Sequence, residues 1–218
     1  MTMQYLLALD AGTGSVRAAL FDINGNQIGC SQREWEHRED PRWPGSMDFD
    51  WVNNWALASG CIREVLKETG ISPSEVAAVS TTCMREGIVL YDASGKELWA
   101  CANVDARSTE EVGELIAMNP ELEKEVYMES GQTYALGALP RLLWVKNKLP
   151  EIYEKTKSIG MFNDWLIYKL TGVMALEPSN GSTTGIFDLQ KRQWNTSIAK
   201  KCGLKDDIFP QVYECGSV

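Results

Sequence analysis

Short apolar runs separated by turn residues occupy the first part of the chain. Residues 5–9 form a continuous apolar run that ends on Asp10, and a second apolar run covers residues 16–21. An Asn-Gly pair at 24–25 follows the second run and precedes residues 27–35. Apolar runs of this length predict strands, and an Asn-Gly pair between two of them favours a hairpin. The sequence therefore predicts three antiparallel strands.

The next segment has a helical pattern. After a loop that contains two prolines, residues 40–46, apolar positions recur every three or four residues from about residue 50 to residue 69. These positions are Val52, Trp55, Ala56, Ile62, Val65 and Leu66. The spacing places them on one face of a helix, which predicts a helix that packs on the strands.

The rest of the chain alternates between strands and helices. Strands are predicted at 76–80, 86–91 and 98–102, and helices at about 107–118, 121–129, 138–148 and 163–171. This order indicates an α/β protein with a mixed sheet. No internal repeat or low-complexity segment divides the chain. The length of 218 residues favours one compact unit or two small ones.

Composition and charge exclude several classes of partner. The chain has 30 acidic and 21 basic residues, a net charge of -9, which argues against nucleic acid and anionic membranes as partners. No apolar run approaches the roughly 20 residues of a membrane-spanning helix. The amino terminus lacks the pattern of a signal peptide. The six cysteines include no C-x-x-C pair, which is typical of reduced thiols. We therefore expect a cytoplasmic protein.

The chain has a single histidine, His37. Histidine-based catalytic triads and zinc sites with several histidines need more imidazoles than one, so these classes are excluded. His37 lies in the polar run 33–40 and is expected to be a solvated residue.

The strongest local motif lies between the first two predicted strands. The candidate phosphate-binding and magnesium-binding residues are Asp10, Gly12, Thr13, Gly14, Ser15 and Arg17. The glycines let the backbone approach a phosphate closely, and the hydroxyl groups are hydrogen-bond donors. The aspartate at the strand end would hold a magnesium ion through water, and the arginine adds positive charge. The motif lacks the ending of a Walker A loop, and an ordinary hairpin remains the alternative.

Five segments, in order, resemble the FGGY carbohydrate kinases. They are LALDAGTGSVRAALFDINGNQI, MREGIVLYDASGKELWACANVDAR, GALPRLLWVKNKLPEIY, MFNDWLIYKLTG and SNGSTTGIFDLQKRQW. The resemblance runs from about residue 5 to the carboxyl end of the chain. Several separated motifs in order are much more specific than the first motif alone, and they argue against an actin-like filament protein or chaperone ATPase.

The resemblance implies a fold and a domain organisation. In this family the amino-terminal lobe has a ribonuclease-H-like (actin-like ATPase) fold, a mixed sheet flanked by helices, and binds the substrate. A second lobe holds most of the ATP. We therefore expect residues 1–218 to form a single amino-terminal lobe, with the second lobe absent from this chain. The family's general-base aspartate is expected beyond Val218, so the chain alone is expected to be inactive.

The resemblance also implies an activity. ATP and Mg²⁺ would serve to phosphorylate a hydroxyl group of a small polyhydroxylated carbonyl compound. The acceptor implied most directly is 4,5-dihydroxy-2,3-pentanedione, and xylulose or another sugar is the alternative. An alternative of a different class is a ligand-binding module without turnover.

Three residues are expected to bind this substrate. Arg85 and Glu86 form a guanidinium–carboxylate pair that suits adjacent hydroxyl groups, and family members use a similar pair there. Asp105 matches a substrate-binding position of the family. Many relatives have there an aromatic residue, followed by Asp or Gln and then by Arg. Val104 occupies the aromatic place, so a substrate that needs no stacking wall is expected. Three further positions also differ from the commoner family residues: Leu136, Ala138 and Arg141.

Two aspartates near the carboxyl end invite assignment as catalytic acids. Asp164 precedes an apolar helical pattern and is expected to be the N-cap of that helix. Asp188 lies in Phe-Asp-Leu and is expected at a turn or strand end. Neither is expected to be catalytic.

Overall fold

A computed structural model describes residues 4–135 and 137–217. Leu136, singled out above, lies outside the described residues. The chain divides into two compact units. The first contains the residues up to His37 together with Phe49–Met84, and the second contains Arg38–Asp48 together with Arg85–Val218.

The first unit is a four-stranded sheet with one helix. Its elements are β1 (Tyr5–Ala11), β2 (Ser15–Asp22), β3 (Gln27–Glu34), α1 (Trp51–Thr69) and β4 (Val76–Cys83). The strand order is β3-β2-β1-β4. Strands β1, β2 and β3 pair antiparallel, whereas β1 and β4 pair parallel, so the sheet is mixed, as predicted.

The core of this unit is formed by the buried residues that alternate along the strands and by those that recur with helical spacing in α1. Leu7 and Leu9 of β1 are buried, while Ala8 between them lies on the opposite face and is half-buried. Helix α1 packs on β2 and β3 and buries Cys61 and Val65. The Asp50 side chain caps α1 by accepting the N–H of the third helical residue, which confirms the predicted helix.

The second unit contains more helices. Its strands are β5 (Ile88–Tyr91), β6 (Glu97–Cys101), β7 (Ser158–Met161), β8 (Phe187–Asp188) and β9 (Gln193–Trp194). Its helices are α2 (Thr109–Met118), α3 (Leu122–Ser130), α4 (Ala138–Lys148), α5 (Pro150–Lys155), α6 (Phe162–Thr171), α7 (Pro178–Gly181) and α8 (Thr196–Lys201). Strand β5 lies between β6 and β7 in an antiparallel sheet. The helices cover an apolar core that includes Leu90, Leu142 and Trp144.

The structure corrects two local predictions. The strand predicted at 86–91 begins at Ile88, because Glu86 has a left-handed backbone with φ of 69°. Asp164 is not the N-cap of α6 but its third residue, and its side chain accepts the N–H of Met161, which is the N-cap. Asp188 ends β8, as predicted. Within the described residues all six cysteines are free, and no helix is long and apolar enough to cross a membrane.

Candidate functional site

The hairpin between β1 and β2 carries the first set of candidate residues. Asp10 lies opposite Arg17 on the neighbouring strand, and Arg17 lies opposite Gln32 on β3. Directly opposite residues of antiparallel strands project from the same face, and here it is the face away from the buried leucines. The guanidinium of Arg17 donates to the Gln32 side-chain oxygen from Nε at 3.1 Å and from Nη2 at 3.0 Å.

Two aromatic side chains hold the tip of this hairpin. The Trp35 indole N–H is shared between the carbonyl oxygens of Gly12 at 3.0 Å and Thr13 at 3.1 Å. The backbone N–H of Trp35 donates to the Gly14 carbonyl at 3.1 Å. Nε2 of His37 lies 2.7 Å from the Thr13 carbonyl and is the donor, since a carbonyl only accepts. His37 is therefore half-buried and bonded to the hairpin tip, which corrects the expectation of a solvated residue.

These contacts set the direction of the tip amides. A trans peptide group directs its C=O and its N–H to opposite sides. Because the carbonyls of residues 12–14 face Trp35 and His37, the N–H groups of Thr13, Gly14 and Ser15 point the other way. Successive N–H groups with a common direction form a concave anion-binding surface. The geometry of the tip therefore suits a phosphate group.

The Asp10 side chain suits a hydrated magnesium ion. Asp10 is half-buried near the end of β1. Among the described residues, no side chain is bonded to its carboxylate. Magnesium is usually held by one or two carboxylates, with water and phosphate oxygens completing the shell. No cluster of three or more protein ligands occurs in the described residues, so an all-protein metal cage is not formed there.

The second set of candidate residues begins with a strained turn in the second unit. The Gly87 N–H donates to the Arg85 carbonyl at 2.9 Å, which closes a three-residue turn around Glu86. Glu86 has φ of 69°, a conformation that costs roughly 1 to 3 kcal/mol in residues other than glycine. A Cβ on Gly87 would lie 2.2 Å from the Phe162 ring, so only glycine fits behind the turn.

The turn presents two charged side chains. Arg85 is exposed and Glu86 is half-buried. Within the part of the chain that the structure describes, neither side chain has a hydrogen-bond or ion-pair partner. A strained backbone that displays an unpaired guanidinium and carboxylate is typical of a binding site, where the surrounding structure maintains the strain.

Asp105 differs from this pair because it is fully buried. Its Oδ2 accepts the Met47 N–H at 2.6 Å and Nε of Arg107 at 2.8 Å, and its Oδ1 accepts the Arg107 backbone N–H at 3.2 Å. The Arg107 guanidinium is also bonded to the Asp48 carboxylate. Asp105 therefore ties the 38–48 loop to the segment that contains Val104, whose side chain is exposed.

Arg107 is enclosed between indole rings. Its guanidinium carbon lies 5.2 Å from the ring centroid of Trp99 and 4.9 Å from that of Trp144, which are cation–π distances. Burial disfavours the charge on Arg107, but the hydrogen bonds and charges of Asp105 and Asp48 outweigh it and raise the pKa of Arg107. The two carboxylates thus hold Arg107 in its charged form although it is buried.

Comparison with known sequences identifies the family. The sequence profile of the FGGY family of carbohydrate kinases, N-terminal domain, matches residues 5–218. The chain belongs to this family. It is 50% identical to the autoinducer-2 kinase of Salmonella paratyphi B and 51% identical to that of Escherichia coli O139:H28, in each case over 215 residues and 98% of the chain. Each alignment covers 41% of the relative, so the chain spans about two fifths of the length of these relatives.

Comparison with solved structures confirms the fold. The xylulose kinase of Rhodospirillum rubrum superposes with a TM-score of 0.87 over 96% of this chain and 43% of that protein, at 19% sequence identity. At this identity the likeness concerns the fold alone. The predicted α/β fold of the actin-like ATPase type is therefore confirmed.

The sequence does not predict the residues that hold the candidate site residues in place. Trp35 and His37 contact the hairpin tip from more than 20 residues away along the chain. Their polar and aromatic surroundings gave no periodic signal. Met47 and Asp48 likewise bind the 105–107 segment, and nothing in the sequence just after the predicted loop 40–46 indicates these contacts.

Proposed function

We propose that the chain is the amino-terminal, substrate-binding lobe of a two-lobe kinase that transfers a phosphoryl group from ATP to a hydroxyl of 4,5-dihydroxy-2,3-pentanedione. The observation that carries this proposal is the identity of about half of all residues to autoinducer-2 kinases over nearly the whole chain. A second lobe with the general base is proposed to complete the enzyme. Since ATP is the donor, we place the reaction in the cytoplasm.

The hairpin is proposed to act on the phosphates. The N–H groups of Thr13, Gly14 and Ser15 stabilise negative charge on phosphate oxygens, and the hydroxyl groups of Thr13 and Ser15 add donors. Gly12 and Gly14 allow close approach of the backbone. Asp10 would orient a magnesium ion through water, and that ion would neutralise charge on the phosphates. Arg17 supplies positive charge on the same face of the sheet.

The Arg85–Glu86 turn is proposed to bind the acceptor. The guanidinium donates to the substrate's oxygens while the carboxylate accepts from a hydroxyl group, so adjacent oxygens are distinguished by donor and acceptor character. Asp105 is proposed as the third residue of the acceptor site. Its carboxylate is bonded to Arg107 and Met47 and is fully buried, so direct contact with the acceptor requires movement of the residues that cover it.

The exposed Val104 supports a small linear acceptor. A valine at this position offers no flat ring on which a sugar face can stack. A short ketone or its hydrate can be held by polar contacts with Arg85, Glu86 and Asp105 and needs no such ring. The substrate expected from these residues is therefore a short polyhydroxylated carbonyl compound.

The test compares acceptors with the full-length protein. Phosphorylation of 4,5-dihydroxy-2,3-pentanedione, xylulose, ribulose and glycerol is measured by ADP release and by detection of the phosphorylated product, with and without Mg²⁺. The pentanedione is expected to have the highest kcat/KM. Preference for a pentulose by a wide margin would overturn the acceptor but not the kinase class. Binding heat in calorimetry without any product would instead support a ligand-binding module.

The matched variants test the site. Loss of a hydrogen bond to a charged group costs about 1.5 to 3 kcal/mol, so Glu86→Ala and Asp105→Ala are each expected to weaken acceptor binding by about one to two orders of magnitude. Glu110→Ala, an exposed carboxylate on α2, serves as the control. Normal binding by both site variants would show that the acceptor site has been misplaced.

A further inference from the structure

Arg141 joins the two segments that carry the proposed acceptor site. It lies in α4 and is fully buried. Its Nη1 donates to the Glu86 carbonyl, and its Nη2 donates to the carbonyls of Asn103 at 2.9 Å and Asp105 at 3.1 Å. All three acceptors are main-chain atoms. One side chain therefore connects the strained turn to the 103–105 segment.

Within the described part of the chain, no carboxylate forms an ion pair with Arg141. Among the same residues, its buried Nε has no hydrogen-bond partner. Burial of a guanidinium is costly unless hydrogen bonds or opposite charge compensate it. Three carbonyl dipoles supply that compensation here. An apolar side chain would fill the same volume without the cost but would leave the carbonyls unpaired.

The Glu86 turn needs an external constraint. Its left-handed φ of 69° is unfavourable for a residue with a side chain, and the backbone would relax toward ordinary values if nothing held it. The bond from Arg141 to the Glu86 carbonyl acts on this peptide group directly. Relaxation there would reorient the Glu86 carboxylate relative to the 103–105 segment.

We propose that Arg141 is a positioning residue for acceptor binding: its guanidinium holds the Glu86 turn and the 103–105 segment in one fixed arrangement, so that Arg85 and Glu86 meet the acceptor with the required geometry. This inference rests on the proposed function for the acceptor. Arg141 itself does not touch the substrate in this scheme. It acts through the main chain of the residues that do.

The experiment uses the full-length protein and three variants. Arg141→Gln removes the charge and the fork of donors, whereas Arg141→Lys keeps the charge and up to three N–H donors on a single atom. The control is Lys146→Gln, a basic residue of the same helix that donates to the Gly203 carbonyl at 2.7 Å and to neither acceptor segment. Steady-state kinetics are recorded with the acceptor and with ATP varied in turn. Hydrogen–deuterium exchange is recorded over residues 84–88 and 102–106.

A positioning role predicts a selective effect. Arg141→Gln is expected to lower kcat/KM for the acceptor by about ten- to a hundredfold, with KM for ATP changed less than about threefold. Arg141→Lys is expected to recover part of this loss. Exchange is expected to accelerate in both segments but not in β1 or β2. Lys146→Gln is expected to match the wild type in every measurement.

Other outcomes overturn the inference. A purely structural arginine would lower thermal stability while the kinetic constants per folded molecule and the exchange of both segments stay at control values. An equal rise of KM for acceptor and for ATP would show general damage instead of positioning. If the wild type phosphorylates no acceptor, the proposed function fails. The positioning role of Arg141 is then tested separately by hydrogen–deuterium exchange, and it is refuted if exchange is unchanged in both Arg141→Gln and Arg141→Lys.

Discussion

Nε2 of His37 lies 2.7 Å from the carbonyl oxygen of Thr13. Burial lowers the pKa of His37, so at neutral pH the ring is uncharged and Nε2 carries its proton. Nδ1 is buried and has no partner among the described residues, which makes a second proton unfavourable. The neutral imidazole therefore has one task that the geometry shows, to hold a hairpin-tip carbonyl away from the side where phosphate is proposed to bind.

A substitution series at His37 tests this task. His37→Leu removes the donor, and the freed Thr13 carbonyl is expected to let the tip rotate, with KM for ATP raised about tenfold, the equivalent of one lost hydrogen bond. His37→Gln places an amide N–H at similar reach and is expected to stay within about threefold of wild type. The measurement is steady-state kinetics of the full-length protein with ATP varied. Identical values for all three proteins would show that the tip does not depend on His37.

The sequence predicts regular elements better than the contacts that orient a site. Helix α1 was predicted closely because its apolar residues repeat with helical spacing over 19 residues and a glycine follows its end. Strand β7 was missed because four residues are too few to show a period. Glu86 is predicted within a strand, since nothing in its local sequence reveals its left-handed backbone or the bond from Arg141 to its carbonyl.

The same limit applies to the candidate site. The glycines and hydroxyl residues of the hairpin form a local motif, which the eight consecutive residues 10–17 are enough to reveal. The bonds from Trp35 and His37 depend on how β3 and the chain after it return to the tip, which only tertiary structure shows. The candidate residues of the hairpin can therefore be chosen from the local sequence, whereas the residues that hold the tip through long-range contacts cannot.

Asp164 is expected to make stability depend on pH. Burial raises the pKa of Asp164 to about 8, although the N–H groups of Met161 and Glu177 favour its charged form. At pH values between the unfolded pKa near 4 and the folded pKa, the folded state binds a proton that the unfolded state has lost. The free energy of unfolding therefore falls as pH rises, by at most about 1.4 kcal/mol per pH unit. The decline should level off above about pH 8.

The measurement is urea unfolding of wild type and Asp164→Asn between pH 5 and pH 9. Asparagine cannot ionise, so the difference in unfolding free energy between the two proteins should shift in favour of the variant as pH rises. A difference that does not change with pH would show that Asp164 is ionised in the folded protein throughout this range.

A polypeptide of residues 1–218 is expected to fold and to remain inactive. Each unit has its own buried apolar residues, and the elements agree with the local sequence. In the proposed function, the general base and most of the ATP site belong to a second lobe. Circular dichroism should show cooperative thermal unfolding, and a coupled assay with ATP and the pentanedione should show only background. Substrate-dependent ADP release by the pure polypeptide would refute the proposed division of labour.

Asp10→Asn is expected to abolish most turnover of the full-length protein without unfolding it. Asparagine has the shape of aspartate but lacks the charge that would orient the magnesium ion, and loss of a principal electrostatic stabiliser lowers kcat by about a hundredfold or more. Thr13→Ala should have a milder effect, because the backbone N–H groups of the tip remain.

Asp22→Asn is the matched control for Asp10→Asn. The Asp22 carboxylate lies at the end of β2 that is far from the tip, where it accepts the N–H groups of Asn24 and Asn26. The readouts are kcat as a function of Mg²⁺ concentration and circular dichroism. If Asp10→Asn keeps near-normal turnover and an unchanged Mg²⁺ dependence while Asp22→Asn behaves alike, the β1–β2 tip is an ordinary hairpin and the phosphates bind elsewhere.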